Sequence, residues 1–236
     1  DHHGIGVAGQ KQETLPAVTK GEQILTLALT EASGSWEPGE VETTATPKDG
    51  GYELNGCKSF IAHALAANKL IVVARTGGAD SAEGISLFLV DSNADGVSIR
   101  QQPGFLSGRA FEVKLEGVKV SKDAMLGEKD NGWKPLATAM EKAIPILGAY
   151  QVGGCQAVIE MTLEYSRVRK QFGQPIGRFQ RVQDLIIDMV THTDSARWAN
   201  YEALWNLDSG NPATESVHLA KAMSSTAYFE VCTLSH

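Results

Sequence analysis

Apolar and polar residues alternate over the first half of the chain, in short runs that end at turn-forming residues. These runs are rich in Val, Ile, Thr and Phe, which favour strands, and they predict strands over residues 24–30, 41–46, 52–54, 70–75, 85–90, 97–100 and 111–120. Asp49-Gly50-Gly51 and Asn55-Gly56 predict hairpin turns, because Gly accepts the positive φ that such turns require. We expect these strands to form a compact β barrel or β sandwich.

From about Asn131 onward, apolar residues recur at helical spacing. The second predicted helix shows the pattern in Val182, Leu185, Ile186, Met189 and Val190. The segment 208–212 contains Gly and Pro and ends that helix, and helical character resumes over 213–234. Short connections predict antiparallel packing of the three helices. Residues 8–23 indicate the end of an earlier helical region, so the predicted domains are 1–23, 24–127 and 128–236.

Composition and charge narrow the class of protein. The 236 residues are 42% hydrophobic and 21% charged, which is typical of a soluble globular protein. The formal net charge of -7 argues against a nucleic-acid partner. Because no apolar run approaches the ~20 residues that cross a bilayer, we expect no membrane span and a cytoplasmic protein. We also expect no metal site, since His2 and His3 are adjacent and no carboxylate cluster accompanies them.

The most informative segment is residues 169–180, RKQFGQPIGRFQ. A cation at a helix end, an aromatic residue, a Gly and a Pro are ordinary signals for a helix end and a turn. The segment also resembles the C-terminal signature of acyl-CoA dehydrogenases. That resemblance implies that Arg169 reaches the FAD pyrophosphate of a neighbouring subunit, that Phe172 packs beside the cofactor and that Gln180 meets its adenosine part. The planar donor fork of Arg suits a pyrophosphate.

Three further stretches match the same family in the same order, so the resemblance covers nearly the whole chain. They are GQKQETLP with the following Gly-Glu at 21–22, LALTE at 27–31 and LNGCK at 54–58. The implied fold is α+β and acyl-CoA dehydrogenase-like: the end of an N-terminal helical domain, an antiparallel β-barrel or sandwich middle domain, and an antiparallel helix bundle. The chain begins without Met and ends inside a predicted helix, which favours a fragment of a longer protein.

The resemblance also assigns cofactor-binding residues in the β-rich half. Leu29, Thr30 and Ser35 would lie along the flavin, in a segment where the family usually carries Asp at the position of Trp36. Phe60 would stack on the flavin face. Ala62 replaces a Thr whose hydroxyl bonds flavin N5, so only a backbone N–H could make that contact here. A polar loop that satisfies its own backbone is the alternative interpretation of this segment.

The resemblance assigns substrate contacts to Ser35, which would thus serve both cofactor and substrate, and to Met140, Ala143 and Ile144 on the first long helix. The family usually carries an Arg at the position of Ile144, and a minority branch places its catalytic carboxylate at the position of Ala143. Glu141 lies roughly 200° away around the helix, so we expect it to face solvent. The catalytic residue is therefore unknown, and the expected Glu lies beyond His236.

The implied reaction is the α,β-dehydrogenation of an acyl-CoA to trans-2-enoyl-CoA, with electrons passed from FAD to an electron-transferring flavoprotein. We expect a homo-oligomer, a tetramer or dimer, with residues 213–227 as an interface; in a eukaryote it would lie in the mitochondrial matrix. Ala62, Trp36 and Ile144 leave a second hypothesis open, a catalytically silent subunit of a heteromeric dehydrogenase that donates its Arg169 half-site. A flavin-dependent oxidase or monooxygenase relative and a purely structural helical scaffold are further alternatives.

Overall fold

The computed structural model describes residues 8–78, 81–104 and 110–236. The chain divides into two compact units, Asp1–Leu136 and Ala137–His236. The first unit is rich in strands and the second is helical. The order of elements is the one that the sequence predicts, a short helix followed by strands and then long helices.

A mixed sheet dominates the first unit. Its strands follow the order β6-β7-β3-β2-β4-β5-β8, and β1 pairs with β4. Neighbouring strands are antiparallel except at β1–β4 and at the single β2–β4 pair, which are parallel. The strands are β1 Leu25–Ala28, β2 Thr44–Lys48, β3 Gly51–Ala62, β4 Lys69–Arg75, β5 Ile85–Asp91, β6 Val97–Gln101, β7 Ala110–Ser121 and β8 Met125–Leu126.

One predicted hairpin forms and the other does not. Asp49 and Gly50 have φ of 51° and 80° and join β2 to β3, as predicted. The predicted turn at Asn55-Gly56 is wrong, because β3 continues through both residues. Instead, the pairing of β3 with β7 shifts register there, and Asn55 Oδ1 accepts the Gly117 N–H at 2.8 Å. Asn55 alone in β3 therefore lies opposite two residues of β7, Glu116 and Gly117, so the β-bulge is in β7, where Gly117 has φ 64°.

The alternating pattern places one face of each strand in a single apolar core. Its fully buried members come mainly from the five central strands: Ala45, Leu54, Ile61, Leu70, Val72, Ala74, Phe88, Val90, Val113, Leu115 and Val118. The helix α1, Ala8–Thr19, belongs to the same unit. Gln10 Nε2 fixes it by donating to the carbonyls of Asp123 at 2.6 Å and Met125 at 3.0 Å.

Three long helices follow: α2 Trp133–Val168, α3 Gln180–Ser209 and α4 Thr214–Leu234. The predicted break after α3 is confirmed. Gly210 adopts φ 70°, and its N–H donates to the carbonyls of Asn206 and Leu207, which ends the helix in the usual αL manner. Among the described residues, no helix is long and apolar enough to cross a membrane.

Glycines on α2 allow close helix approach within the second unit. A Cβ built on Gly148 would lie 2.5 Å from Asn200 Oδ1, and one built on Gly154 would lie 2.6 Å from the Tyr228 ring. At Gly153 a Cβ would meet nothing within 4 Å. Asn200 also donates from Nδ2 to the carbonyl of Pro145 at 3.0 Å, so the contact of α2 with α3 is both tight and hydrogen-bonded.

Small residues of α4 pack inside the bundle rather than on its surface. Ala213, Val217 and Ala220 are buried in one cluster with Ala199 and Ala203 of α3. The expectation that 213–227 supplies an oligomer interface is therefore wrong for these small residues. They allow α3 and α4 to approach closely, and because they are buried in that contact they cannot also contact another subunit.

Candidate functional site

The end of β1 and the end of β3 are held together by two reciprocal hydrogen bonds. The Ser59 N–H donates to the carbonyl of Thr30 at 2.8 Å, and the Thr30 hydroxyl donates to the carbonyl of Ser59 at 2.6 Å. Thr30 is buried, so its hydroxyl hydrogen is committed inside the protein. This predicted cofactor residue can therefore offer only a lone pair or its backbone to a ligand.

Phe60 lies in a β-bulge at the same place. The pairing of β3 with β7 shifts register between Lys58 and Ile61, and Phe60 has φ 62°. A bulky side chain at positive φ is a backbone outlier of the kind that clusters at functional sites. The Phe60 side chain is 55% exposed, and a Cβ built on Gly34 would lie 3.8 Å from its ring. The bulge thus turns an aromatic ring outward beside the loop that follows β1.

That loop, residues 31–36, carries Ser35 and Trp36. Ser35 Oγ accepts the Glu37 N–H at 3.1 Å, and the Ser35 N–H donates to Ser33 Oγ at 3.3 Å. Among the described residues the Ser35 hydroxyl hydrogen has no acceptor, so this hydroxyl can still donate to a ligand. Trp36 is 60% exposed. The loop thus partly satisfies its own backbone, as the alternative interpretation expects, and still leaves the Ser35 hydroxyl as a donor.

Leu29 and Ala62 contribute backbone rather than side-chain chemistry. The Leu29 side chain is buried, and its carbonyl accepts from Lys58 Nζ at 3.1 Å. The carbonyl of Ala62, at the exposed end of β3, accepts the Thr26 hydroxyl at 2.7 Å. The hydrogen bonds therefore bring Leu29, Thr30, Phe60 and Ala62 together where β1 and β3 end, and their role in cofactor binding stays a prediction.

A buried ion pair anchors this edge. Lys58 Nζ lies 2.7 Å from Glu31 Oε1, and the two side chains are 0% and 8% exposed. Glu31 also accepts the Thr43 N–H at 3.0 Å, the Thr43 hydroxyl at 2.7 Å and the Glu42 N–H at 3.0 Å. Four donors thus hold one carboxylate, which is the compensation that a buried charge requires.

The charges of the pair depend on each other. Burial alone would raise the pKa of Glu31, but the Lys58 ammonium and the hydrogen bonds from Thr43 hold that pKa below its ordinary value. Burial lowers the pKa of Lys58, and the Glu31 carboxylate opposes that shift. Because each partner favours the charged form of the other, removing either one leaves an uncompensated buried charge.

Arg75 fixes the far end of the same loop. Its guanidinium donates from Nε to the carbonyl of Val41 at 3.1 Å and from Nη2 to the carbonyl of Pro38 at 2.7 Å. The Arg75 N–H also donates to the carbonyl of Thr43 at 2.8 Å. The loop that carries Ser35 is therefore held at its start by Glu31 and at its end by Arg75, which is the rigid support a binding site needs.

The segment 169–180 forms a second cluster, in the helical unit. The short strands β9, Lys170–Gln171, and β10, Gln174–Pro175, make a two-residue hairpin between α2 and α3. Phe172 and Gly173 occupy its turn with φ of 51° and 83°, as a type I′ turn requires. Phe172 is 92% exposed and meets Phe179 edge-on at 6.1 Å. The sequence predicted the helix end and the turn but not the hairpin.

The other two motif residues also face outward. The backbone of Arg169 is fixed on both sides, because its N–H donates to Tyr165 and its carbonyl accepts from Ile176, each at 2.9 Å. Its side chain is exposed, as is Gln180, the first residue of α3. Within the described part of the chain, no ion pair occupies the Arg169 guanidinium. The turn therefore presents an aromatic ring and an unpaired cation.

A groove of about 570 Å³ lies beside this turn, but none of the three motif residues lines it. Its walls include Ser166, Arg167, Arg178 and Gln183. Gln183 Nε2 donates to the carbonyl of Gly177 at 2.9 Å, so the groove follows from packing of the turn on α3. The motif residues project from the surface rather than into a cavity.

The predicted substrate contacts on α2 differ in exposure. Ala143 is exposed and Met140 is half-buried, whereas Ile144 packs against the cluster of Ala199 and Ala203 in the bundle. The expectation that Glu141 faces solvent is wrong. The residue is half-buried, and its Oε1 is buried and has no hydrogen-bond partner among the described residues.

Sequence reasoning missed the supporting residues. Lys58 had a usable signal, since it continues the inward-facing set of β3 after Tyr52 and Leu54, and a charged residue at an inward position needs a partner. Arg75 gave no such signal, and neither did Gln102, whose side-chain Oε1 accepts the Phe60 N–H at 2.7 Å, because their partners lie far away along the chain. In the described residues no group of three or more His, Cys, Asp or Glu is placed to hold a metal ion.

Comparison with protein families identifies both halves of the chain. Residues 26–133 match the family model described as "Acyl-CoA dehydrogenase, middle domain". Residues 130–235 match the one described as "Acyl-CoA dehydrogenase, C-terminal domain". Together the two matches extend over both the sheet and the helix bundle.

Individual relatives are similar to this chain over nearly its whole length. The chain is 31% identical to a 3-(aryl)acrylate reductase of Clostridium sporogenes and 30% identical to the caffeyl-CoA reductase–Etf complex subunit CarC of Acetobacterium woodii; each match covers 96% of this chain. Each also covers 61% of the relative, so the chain spans about that share of their length.

Solved structures show the same fold. The FAD complex of PigA matches with a TM-score of 0.93 at 29% identity, over 98% of this chain and 61% of that one. Butyryl-CoA dehydrogenase from Megasphaera elsdenii matches with a TM-score of 0.91 at 28% identity, over the same shares. The predicted α+β fold is confirmed.

Proposed function

Because the chain belongs to the acyl-CoA dehydrogenase family, we propose that it is part of a FAD-dependent oxidoreductase acting on the α and β carbons of an acyl thioester. In the dehydrogenase direction the product is a trans-2-enoyl thioester, and the electrons pass to an electron-transferring flavoprotein. One observation carries the proposal: Phe60 is held outward at positive φ beside the anchored loop that carries Ser35.

The residues of the first unit fit a flavin. An exposed aromatic ring at Phe60 offers a face for a planar cofactor, and Gly34 leaves the neighbouring surface without a side chain. Ser35 has a free hydroxyl donor beside it. When bound, FAD supplies the hydride acceptor. The chain supplies orientation and support, because the anchored edge keeps these groups in place without reorganisation.

The proton side of the reaction requires a carboxylate that Glu31 cannot supply. Both of its oxygens already accept hydrogen bonds, and Lys58 keeps it ionised in a buried anchor. We therefore assign Glu31 to support rather than to proton abstraction. The base remains the Glu expected beyond His236, and Met140 and Ala143 remain proposed substrate contacts.

The second cluster supports an oligomeric cofactor site. Arg169 and Gln180 can donate hydrogen bonds and Phe172 can pack, yet all three are exposed and none of them lines the groove beside the turn. We propose that they meet the FAD of another subunit, with Arg169 on the pyrophosphate. An exposed aromatic row on α3, formed by Trp198, Tyr201 and Trp205, favours association of copies because such rows rarely face water.

Mixing two variants tests the donated half-site. Phe60→Ala damages the flavin face and Arg169→Ala damages the donated turn. If the halves come from different subunits, co-folding the two variants creates one intact site per pair, and flavin binding returns. If both halves serve the same chain, the mixture binds no better than either variant alone, and the proposal fails.

Two alternatives rest on specific observations. Ala62 lacks a hydroxyl and Ile144 packs into the bundle where the family carries Arg, which favours a silent subunit of a heteromeric dehydrogenase. Relatives named as reductases favour the opposite direction, reduction of an enoyl thioester.

Anaerobic mixing of the full-length protein with thioesters distinguishes the dehydrogenase, the reductase and the silent subunit. We expect its flavin absorbance to bleach with a saturated acyl thioester and the trans-2-enoyl product to be detected by mass spectrometry. Reoxidation of pre-reduced flavin by enoyl thioesters alone would identify a reductase. A bound flavin that responds to neither, or flavin bound only with a partner subunit, would favour the silent subunit and overturn the proposal.

A further inference from the structure

Gln102 lies directly after β6 and reaches the flavin-facing bulge from the other side of β7. Its backbone N–H donates to the carbonyl of Ala110 at 3.0 Å, which fixes it to β7. Its side-chain Oε1 accepts the Phe60 N–H at 2.7 Å. The two residues are 42 positions apart in the chain, so only the fold brings them together.

The Phe60 N–H needs such an acceptor because the bulge removes it from the strand ladder. Pairing of β3 with β7 is regular from Gly56 to Lys58 and resumes at Ile61, which leaves Ser59 and Phe60 without ladder partners. Thr30 satisfies both backbone groups of Ser59. Gln102 does the same for the Phe60 N–H, so both N–H groups that the bulge frees are hydrogen-bonded within the protein.

We infer that Gln102 is a positioning residue for the cofactor site, acting through Phe60. The hydrogen bond from the Phe60 N–H to Gln102 Oε1 holds the bulge at its positive φ and thereby holds the ring outward. The acceptor oxygen is the functional atom. This inference deepens the proposed function and rests on it only for the flavin readout, since the backbone geometry can be measured without any ligand.

Hydrogen exchange of the Phe60 amide, followed by NMR, tests the contact itself. Gln102→Met keeps the length of the side chain and removes the acceptor, so we expect exchange to accelerate about tenfold, as for the loss of one hydrogen bond. Gln102→Glu keeps an acceptor oxygen and should retain the slow exchange. Gln101→Met, the adjacent exposed residue, is the matched control and should leave the Phe60 amide unchanged.

Two results would overturn the contact. One is equal Phe60 exchange in the wild type and Gln102→Met. The other is exchange in Gln102→Glu as fast as in Gln102→Met, since this would mean that the acceptor oxygen is not the functional atom.

Flavin affinity tests whether the contact positions the ring. With full-length protein and FAD, Gln102→Met should raise the dissociation constant about five- to tenfold. The same change made in a Phe60→Ala background should add almost nothing, because a residue that acts through Phe60 loses its effect with the ring. Full additivity of the two changes would overturn the inference. If the wild type itself binds no FAD, the proposed function fails, and the exchange experiment still decides the backbone contact.

Discussion

Replacing Lys58 with Met tests how strongly the Glu31 anchor supports the edge that we propose faces the flavin. Lys58 is fully buried, and its Nζ lies 2.7 Å from Glu31 Oε1 and 3.1 Å from the carbonyl of Leu29. Met fills the same space without a charge, so the change leaves a buried carboxylate with only neutral donors. Breaking a buried ion pair in this way costs about 3–5 kcal/mol. Such a loss is a large share of the ~5–15 kcal/mol that keeps a domain folded.

Urea unfolding followed by circular dichroism measures this loss. Lys114→Met is the matched control, because Lys114 pairs with Glu116 on the exposed face of β7 and should leave the midpoint unchanged. The double variant Lys58→Met with Glu31→Leu should stay destabilised, since the N–H groups of Glu42 and Thr43 then lose their acceptor. An unfolding midpoint for Lys58→Met equal to that of Lys114→Met would refute the reasoning.

Three further predictions concern folding stability and flavin binding. Gly148→Ala and Gly154→Ala should destabilise the protein by about 1–3 kcal/mol, because each new Cβ would clash with a neighbouring helix. Gly153→Ala should stabilise it by up to about 1 kcal/mol, because a Cβ there meets nothing within 4 Å. Thermal unfolding measures all three variants, and equal shifts of their midpoints would contradict the prediction. The pKa of Glu31 is lowered in the folded state, so its contribution is complete above its ordinary value of roughly 4.3 and is lost as pH falls through the lower folded value. Urea midpoints measured from neutral pH to below pH ~4 should fall less steeply for Glu31→Gln than for the wild type, and parallel curves would be evidence against the anchor. Phe172→Asn relieves a bulky residue at φ 51° and should raise stability by about 1 kcal/mol while weakening FAD binding; a loss of stability would count against strain at this turn.

The order of elements could be predicted from sequence because it follows local rules. Alternation fixed the strands, and Gly210 ended α3 where Gly and Pro predicted a break. The Asn55-Gly56 prediction failed for a physical reason. Pairing with the long strand β7 keeps this dipeptide inside β3, and the extra residue of the bulge lies in β7.

The supporting contacts could not be predicted because they depend on distant partners. Nothing near Gln102 in sequence indicates that its side chain accepts the Phe60 N–H, or that Arg75 holds the carbonyl of Pro38. The backbone conformation of the outward-facing aromatic residues could not be predicted either. Phe60 and Phe172 both occupy positive φ, where Gly or Asn is the usual choice. Local rules therefore fail at the residues that we propose contact the cofactor.

The central claim is that the Phe60 bulge is the flavin platform of this chain. FAD titration of the full-length protein, with Phe60→Ala and the matched control Phe229→Ala, tests it most directly, because Phe229 is also an exposed aromatic residue but lies on α4. We expect the wild type and Phe229→Ala to bind FAD equally. Phe60→Ala should bind about tenfold more weakly, the loss expected for one stacked ring. Equal binding by all three proteins would contradict the account.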